Sequence, residues 1–139
     1  MPLSDAVDGF RLAYDDHDAR AADAAAVVLL HGWPGDRHDY RAVVPLLTDR
    51  CRVLVPDLRG FGETGKTDPG PTDAMTVDVL AEDMLAFLDA LGLDRSVGFV
   101  SHDVGAYVTQ ALVRRGPPVC FSSTALTPAS AGAGPSRSI

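Results

Sequence analysis

The sequence is poor in the residues that build most metal and scaffold sites. Among 139 residues there are two cysteines, Cys51 and Cys120, and neither belongs to a CxxC pair. Two isolated thiols make neither a disulfide framework nor a zinc site, so no metal or cofactor is implied and a reducing, cytoplasmic setting fits best. Lysine is nearly absent, with Lys66 the sole example. Lys plus Arg total 12 against 19 Asp plus Glu, a formal net charge of −7. Such a balance repels polyanions, which excludes nucleic acid and anionic membrane as partners. Long apolar runs are missing too. The longest early one, residues 24–30, is too short to span a bilayer. Asp5, Asp8, Arg11 and Asp15 stand where a signal peptide needs an apolar core. The last absence is local. No His, Asp or Glu follows Asp103, and all four histidines (His17, His31, His38 and His102) precede it.

What is present fits one compact domain. Hydrophobic residues make up 46% of the chain, which excludes disorder over its whole length. Residues 7–14 read as a hairpin or edge strand and residues 15–23 as a polar loop. Residues 26–30 (AVVLL), 51–56 (CRVLVP) and 96–101 (SVGFVS) are short apolar runs without alternation, the mark of strands buried on both faces. Between them lie helical spacings. Residues 39–47 are one, shortened by Pro45. A longer one starts at the N-cap Thr76, has Val77, Leu80, Met84, Phe87, Leu88 and Leu91 on its apolar face, and stops at Gly92. Residues 104–114 form a third. Strand and helix alternate, which predicts an α/β fold: a mostly parallel sheet with helices on both faces. Residues 57–71 read as a Gly- and Pro-rich loop, residues 117–127 as one more strand, and residues 128–139 as a disordered tail.

Three motifs follow the three strands. Ser101-His102-Asp103-Val104-Gly105-Ala106 is a nucleophile elbow, in which small neighbours let a strained central residue project from the strand end. Asp103 would be the nucleophile, because a carboxylate attacks carbon without prior deprotonation. The competing reading makes Asp103 a plain helix N-cap. His31-Gly32-Trp33-Pro34-Gly35 would bring the Trp33 amide beside that of Val104 as an oxyanion hole, with Pro34 able to take the cis form. The stretch from Pro56 to Thr67 contains GFGETGKT, which satisfies a bare phosphate-loop pattern. Asp57 to Arg59 separate it from the strand, and Asp68-Pro69-Gly70-Pro71 should break the helix a phosphate loop needs.

HGWPG, PDLRGFGET and SHDVGA, in this order, resemble the N-terminal half of an α/β-hydrolase of the epoxide hydrolase and dehalogenase branch. The resemblance covers residues 7–115. It implies that Asp103 forms an alkyl-enzyme ester with a small electrophile such as an epoxide. Trp33 and Val104 then hold the oxyanion, with His31, Gly32, Pro34 and Gly105 as motif support. Asp57, Arg59 and Gly60 match a conformational loop, and His102 is expected to point away. Val104 stands where haloalkane dehalogenases place Trp and haloacetate dehalogenases place Arg, so the epoxide hydrolase pattern is the least contradicted.

On this reading residues 1–127 are the N-terminal part of the hydrolase domain, with the later strands, the cap and the general-base His outside the chain. The expectation is a truncated chain, inactive alone, that pairs with a complementing C-terminal chain or self-associates through an exposed sheet edge. The alternatives are a non-catalytic remnant or binding module and a dehalogenase-like hydrolase.

Overall fold

The computed structural model describes residues 11–67, 76–93, 97–115 and 120–123. Five strands form one sheet: β1 (Tyr14–His17), β2 (Ala26–Leu30), β3 (Arg52–Pro56), β4 (Val97–Ser101) and β5 (Cys120–Ser123), in the order β1-β3-β2-β4-β5. β1 runs antiparallel to β3, and every other pairing is parallel. β2 lies at the centre. Its run AVVLL lacks alternation because both its faces are covered: Val28 and Leu30 join one core cluster and Leu29 joins another.

Helices occupy both faces. α3 (Val77–Ala90) and α4 (Val104–Arg114) close the larger cluster, with Leu80, Met84, Phe87, Val108 and Leu112 packed on Val28, Leu54 and Phe99. A 3-10 turn (Arg37–Tyr40) and the short α1 (Val44–Leu47) cover the other face through Tyr40 and Val44, packed on Leu29, Val53 and Val55. Thr76 caps α3 as expected, its Oγ1 accepting the Val79 amide at 3.3 Å. Gly92 ends the helix at φ 68°, where Leu93 N donates to the Leu88 carbonyl.

Several boundaries differ from the sequence reading. Residues 39–47 are not one helix. Pro45 sits in the first turn of α1, where its missing amide costs nothing, and the preceding residues tighten into the 3-10 turn. The polar stretch 15–23 opens with β1, whose register pairs Tyr14 with Pro56 and His17 with Val53. Residues 57–71 are not all loop, since α2 (Gly62–Thr67) forms within them. Val77 is exposed, not part of the apolar face of α3. The tail expected at residues 128–139 lies outside the described residues. Among the described residues no helix is long and apolar enough to cross a membrane.

The register fixes where the site falls. Leu30 of β2 pairs with Ser101 of β4, so these two strands end at the same edge. The loop after β2 and the turn after β4 therefore leave the sheet side by side. Open parallel sheets bind ligands beyond the carboxyl ends of their strands.

Candidate active site

Asp103 stands between β4 and α4 with φ 51° and ψ −122°. It is the only non-glycine residue with positive φ among the described residues. That conformation costs about 1–3 kcal/mol for a residue with a Cβ. Its side chain makes no capping bond to α4. Asp103 thus occupies the N-cap position without a side-chain cap. The carboxylate turns instead toward the loop after β2, and Oδ2 accepts the Trp33 amide at 2.8 Å.

The small residues around it are required by contact distances. A Cβ on Gly32 would meet the Asp103 Cβ at 2.7 Å. A Cβ on Gly105 would meet the Leu30 and His31 carbonyl oxygens at 2.7 and 2.8 Å. Glycine at both positions lets the loop, the elbow and α4 pack together. The Trp33–Pro34 bond is cis. Val104, the other residue expected in the oxyanion hole, heads α4 directly after Asp103.

His31 is fully buried, and both ring nitrogens are engaged. Nε2 accepts the Leu58 amide at 3.0 Å, which places the proton on Nδ1, where it donates to the Gly32 carbonyl at 2.9 Å. Burial holds the ring pKa below its ordinary value, against the pull of the Gly32 carbonyl and of Asp57, Asp39 and Asp36. His31 thus ties the loop after β2 to the loop after β3.

That second loop is organised by Asp57, which is fully buried. It accepts the Arg37 amide at 2.7 Å, the Arg37 guanidinium and the Glu63 amide at 2.9 Å. Gly62 must lack a Cβ, which would lie 2.3 Å from the Asp57 Oδ2. Arg37 also lies 3.2 Å from Asp15 of β1. Two carboxylates raise the Arg37 pKa although burial opposes them. Arg59 grips Asp83 of α3 through two bonds of 2.7 and 2.6 Å. The Asp57 carboxylate meets the first turn of α2, the place an incoming phosphate would need. The stretch Asp68-Pro69-Gly70-Pro71, expected to break the helix, lies outside the described residues.

His102 does not turn wholly away. Its Nε2 lies 3.0 Å from where a Gly32 Cβ would be, on the same side as Asp103. Its Nδ1 donates to the Tyr40 hydroxyl at 3.2 Å, and that hydroxyl donates to the Leu30 carbonyl at 2.7 Å. Burial, with Asp39 adding, pushes the Tyr40 phenol up to about 12, so it stays a donor. Tyr40 and Arg37 were not singled out from the sequence. Their partners lie 62 and 20 residues away, a separation that leaves no local pattern.

Among the described residues no cluster of three or more His, Cys, Asp or Glu could hold a metal ion. A cleft of about 340 Å³ lies between Arg37, Val44, Pro45 and Val55 and does not include Asp103.

Residues 25–133 match the family model of the α/β hydrolase fold. The chain belongs to the α/β-hydrolase fold family. It is 34% identical over 102 residues to a soluble epoxide hydrolase of Corynebacterium sp., an overlap of 73% of this chain and 32% of the relative. It is likewise 34% identical over 108 residues to 2-heptyl-3-hydroxy-4-quinolone dioxygenase AqdC1 of Rhodococcus erythropolis, covering 76% of this chain and 37% of that one. Among solved structures, epoxide hydrolase CorEH superposes with a TM-score of 0.70 at 30% identity, over 81% of this chain and 37% of that chain. This α/β-hydrolase chain spans about a third of the length of the curated relatives it matches.

Proposed function

We propose that the chain carries the nucleophile portion of an epoxide hydrolase-like site, with Asp103 as the attacking carboxylate. The observation that carries this reading is the strained Asp103 backbone with its Oδ2 on the Trp33 amide. Strain of this kind persists at functional sites, and an aspartate serving only as a cap would relax. The epoxide hydrolase relatives supply the substrate class, a small molecule with a three-membered ether ring.

The Trp33 bond supports a division of labour between the two oxygens. Oδ2 is held by Trp33, so Oδ1 attacks the ring carbon. The C–O bond breaks, and the released alkoxide takes a proton from water. The ester carbonyl is then the former Oδ2, already on its amide donor. When water adds to that carbonyl, Trp33 and Val104 stabilise the oxyanion, and each such donor is worth about 10²–10³-fold in rate.

Hydrolysis of the ester needs a base, and general-base catalysis supplies about 10²–10⁴-fold. No His, Asp or Glu follows Asp103 in this chain. Both nitrogens of His31 are engaged. His102, which donates from Nδ1 to Tyr40 and keeps its Nε2 lone pair, precedes Asp103 at the strand end and does not stand where the resemblance implies the base. The ester should therefore persist in the isolated chain.

Incubation with a terminal epoxide followed by intact-mass measurement tests this. One added epoxide mass is expected, located at Asp103 by peptide mapping, and Asp103→Asn should abolish it. An unmodified chain would leave a non-catalytic module as the better reading. Multiple-turnover diol formation that disappears in Asp103→Asn would overturn the persistence of the ester.

A further inference from the structure

We propose that His31 is a positioning residue that aims the Trp33 amide at Asp103, and that it does so only as the neutral imidazole. The inference rests on the proposed role of Asp103 for its kinetic readout alone. Its structural basis is independent of that role.

His31 touches no part of the carboxylate. It acts through the chain: its ring holds the Gly32 carbonyl on one side and the Leu58 amide on the other. The Gly32 carbonyl belongs to the same peptide unit as the Trp33 N–H, the group that donates to Asp103 Oδ2. Fixing the carbonyl fixes the direction of that N–H. The anchor at the far end is firm, because Leu58 is fully buried and directly follows Asp57, which is bonded to Arg37 and to α2.

The neutral form is needed for a simple reason. Leu58 N–H is a donor, and Nε2 can receive it only through a lone pair. A proton on Nε2 sets donor against donor. With the ring buried, one side must move, and Gly32 lies on the ring's other nitrogen. Protonation therefore loosens the peptide unit that carries the oxyanion donor.

The charged groups around the ring bear on where this happens. Asp57 comes from the end of β3 with Arg37 bonded to it, and Asp36 and Asp39 come from the 3-10 turn. Phe61 presents a ring edge at 5.1 Å between centroids. His102 and Asp103 flank Gly32 from the elbow. The carboxylates favour the cation, and burial outweighs them, so the transition falls below the ordinary histidine value of 6.5.

The test follows the amide and the chemistry together across about pH 5 to pH 8, the range in which histidine titrates. In the isotope-labelled chain, the Trp33 and Leu58 amide signals should move with the His31 ring titration. The rate of adduct formation should fall with the same midpoint. In His31→Gln the side-chain oxygen can still receive the Leu58 amide, so the adduct should form and this titration should vanish. Asp103 and His102 remain in that variant, which separates their protonation from that of His31. His31→Leu should slow adduct formation by up to about 10²-fold, because Oδ1 loses its orientation once the Trp33 amide no longer holds Oδ2. If that variant does not fold, His31→Gln carries the comparison.

A Trp33 amide signal indifferent to the His31 titration would overturn the inference. So would His31→Leu reacting as fast as the parent chain. Absence of any adduct at every pH would count against Asp103 as nucleophile, and the amide signals would still decide the role of His31.

Discussion

At the scale of single residues, the role proposed for Asp103 and stability oppose each other. Its φ of 51° is accessible to glycine without penalty and strained for any residue with a Cβ. Asp103→Gly should therefore be more stable than Asp103→Ala, by about 1–2 kcal/mol. Both variants lose the carboxylate, so the comparison isolates the backbone. Urea unfolding of the two, followed by circular dichroism, measures the difference, and equal midpoints would mean that the elbow stores no strain. The elbow was readable from sequence because its requirement is steric and local. Small residues two before and two after Asp103 are visible as letters, and so is the glycine of the loop that meets it. The tautomer of His31 was not readable. It is set by Leu58 and Gly32, one of which is 27 residues distant.

At the scale of elements, the strands after which the motifs sit were legible because burial on both faces leaves an unbroken apolar run. α4 was legible to its ends, residues 104–114, because its buried face repeats at helical spacing. α2 was not. Its sequence GETGKT has two glycines, each costing about 1 kcal/mol in a helix relative to alanine. The helix exists because Asp57 accepts the Glu63 amide and Thr64 bridges the Asp57 carbonyl to the Ala13 amide. Tertiary bonds thus override a propensity that favours loop. The same loop is fastened to α3 by the Arg59–Asp83 fork, whose carboxylate is almost wholly buried. Breaking a buried pair leaves an uncompensated charge. Asp83→Ala should cost about 3 kcal/mol. The pair Arg59→Met with Asp83→Leu should recover most of that loss in the same unfolding assay. If the double variant is as unstable as the single one, the fork does more than satisfy its own charges.

At the scale of the whole molecule, the two faces of the sheet are unequally covered. α3 and α4 close one face over a large cluster, and the 3-10 turn and α1 close the other over a small one. Class and the mostly parallel sheet followed from alternating patterns, which are summed over many residues and survive local errors. The stability of the whole also carries a signature of the site. His31 binds a proton less readily when folded than its ordinary value of 6.5. Between 6.5 and the lower folded value, the unfolded chain binds more protons, so stability falls as pH falls. Above 6.5 both states leave His31 neutral and its contribution is complete. Melting temperature should therefore decline as pH drops below that point, then cease to decline on this account once the folded ring also protonates. His31→Gln removes this part of the slope and leaves the carboxylates in place. Parallel melts of the parent chain and the variant should diverge in how they depend on acid, the parent losing more. Matching slopes would mean that the ring titrates alike in both states and that burial does not lower its folded value.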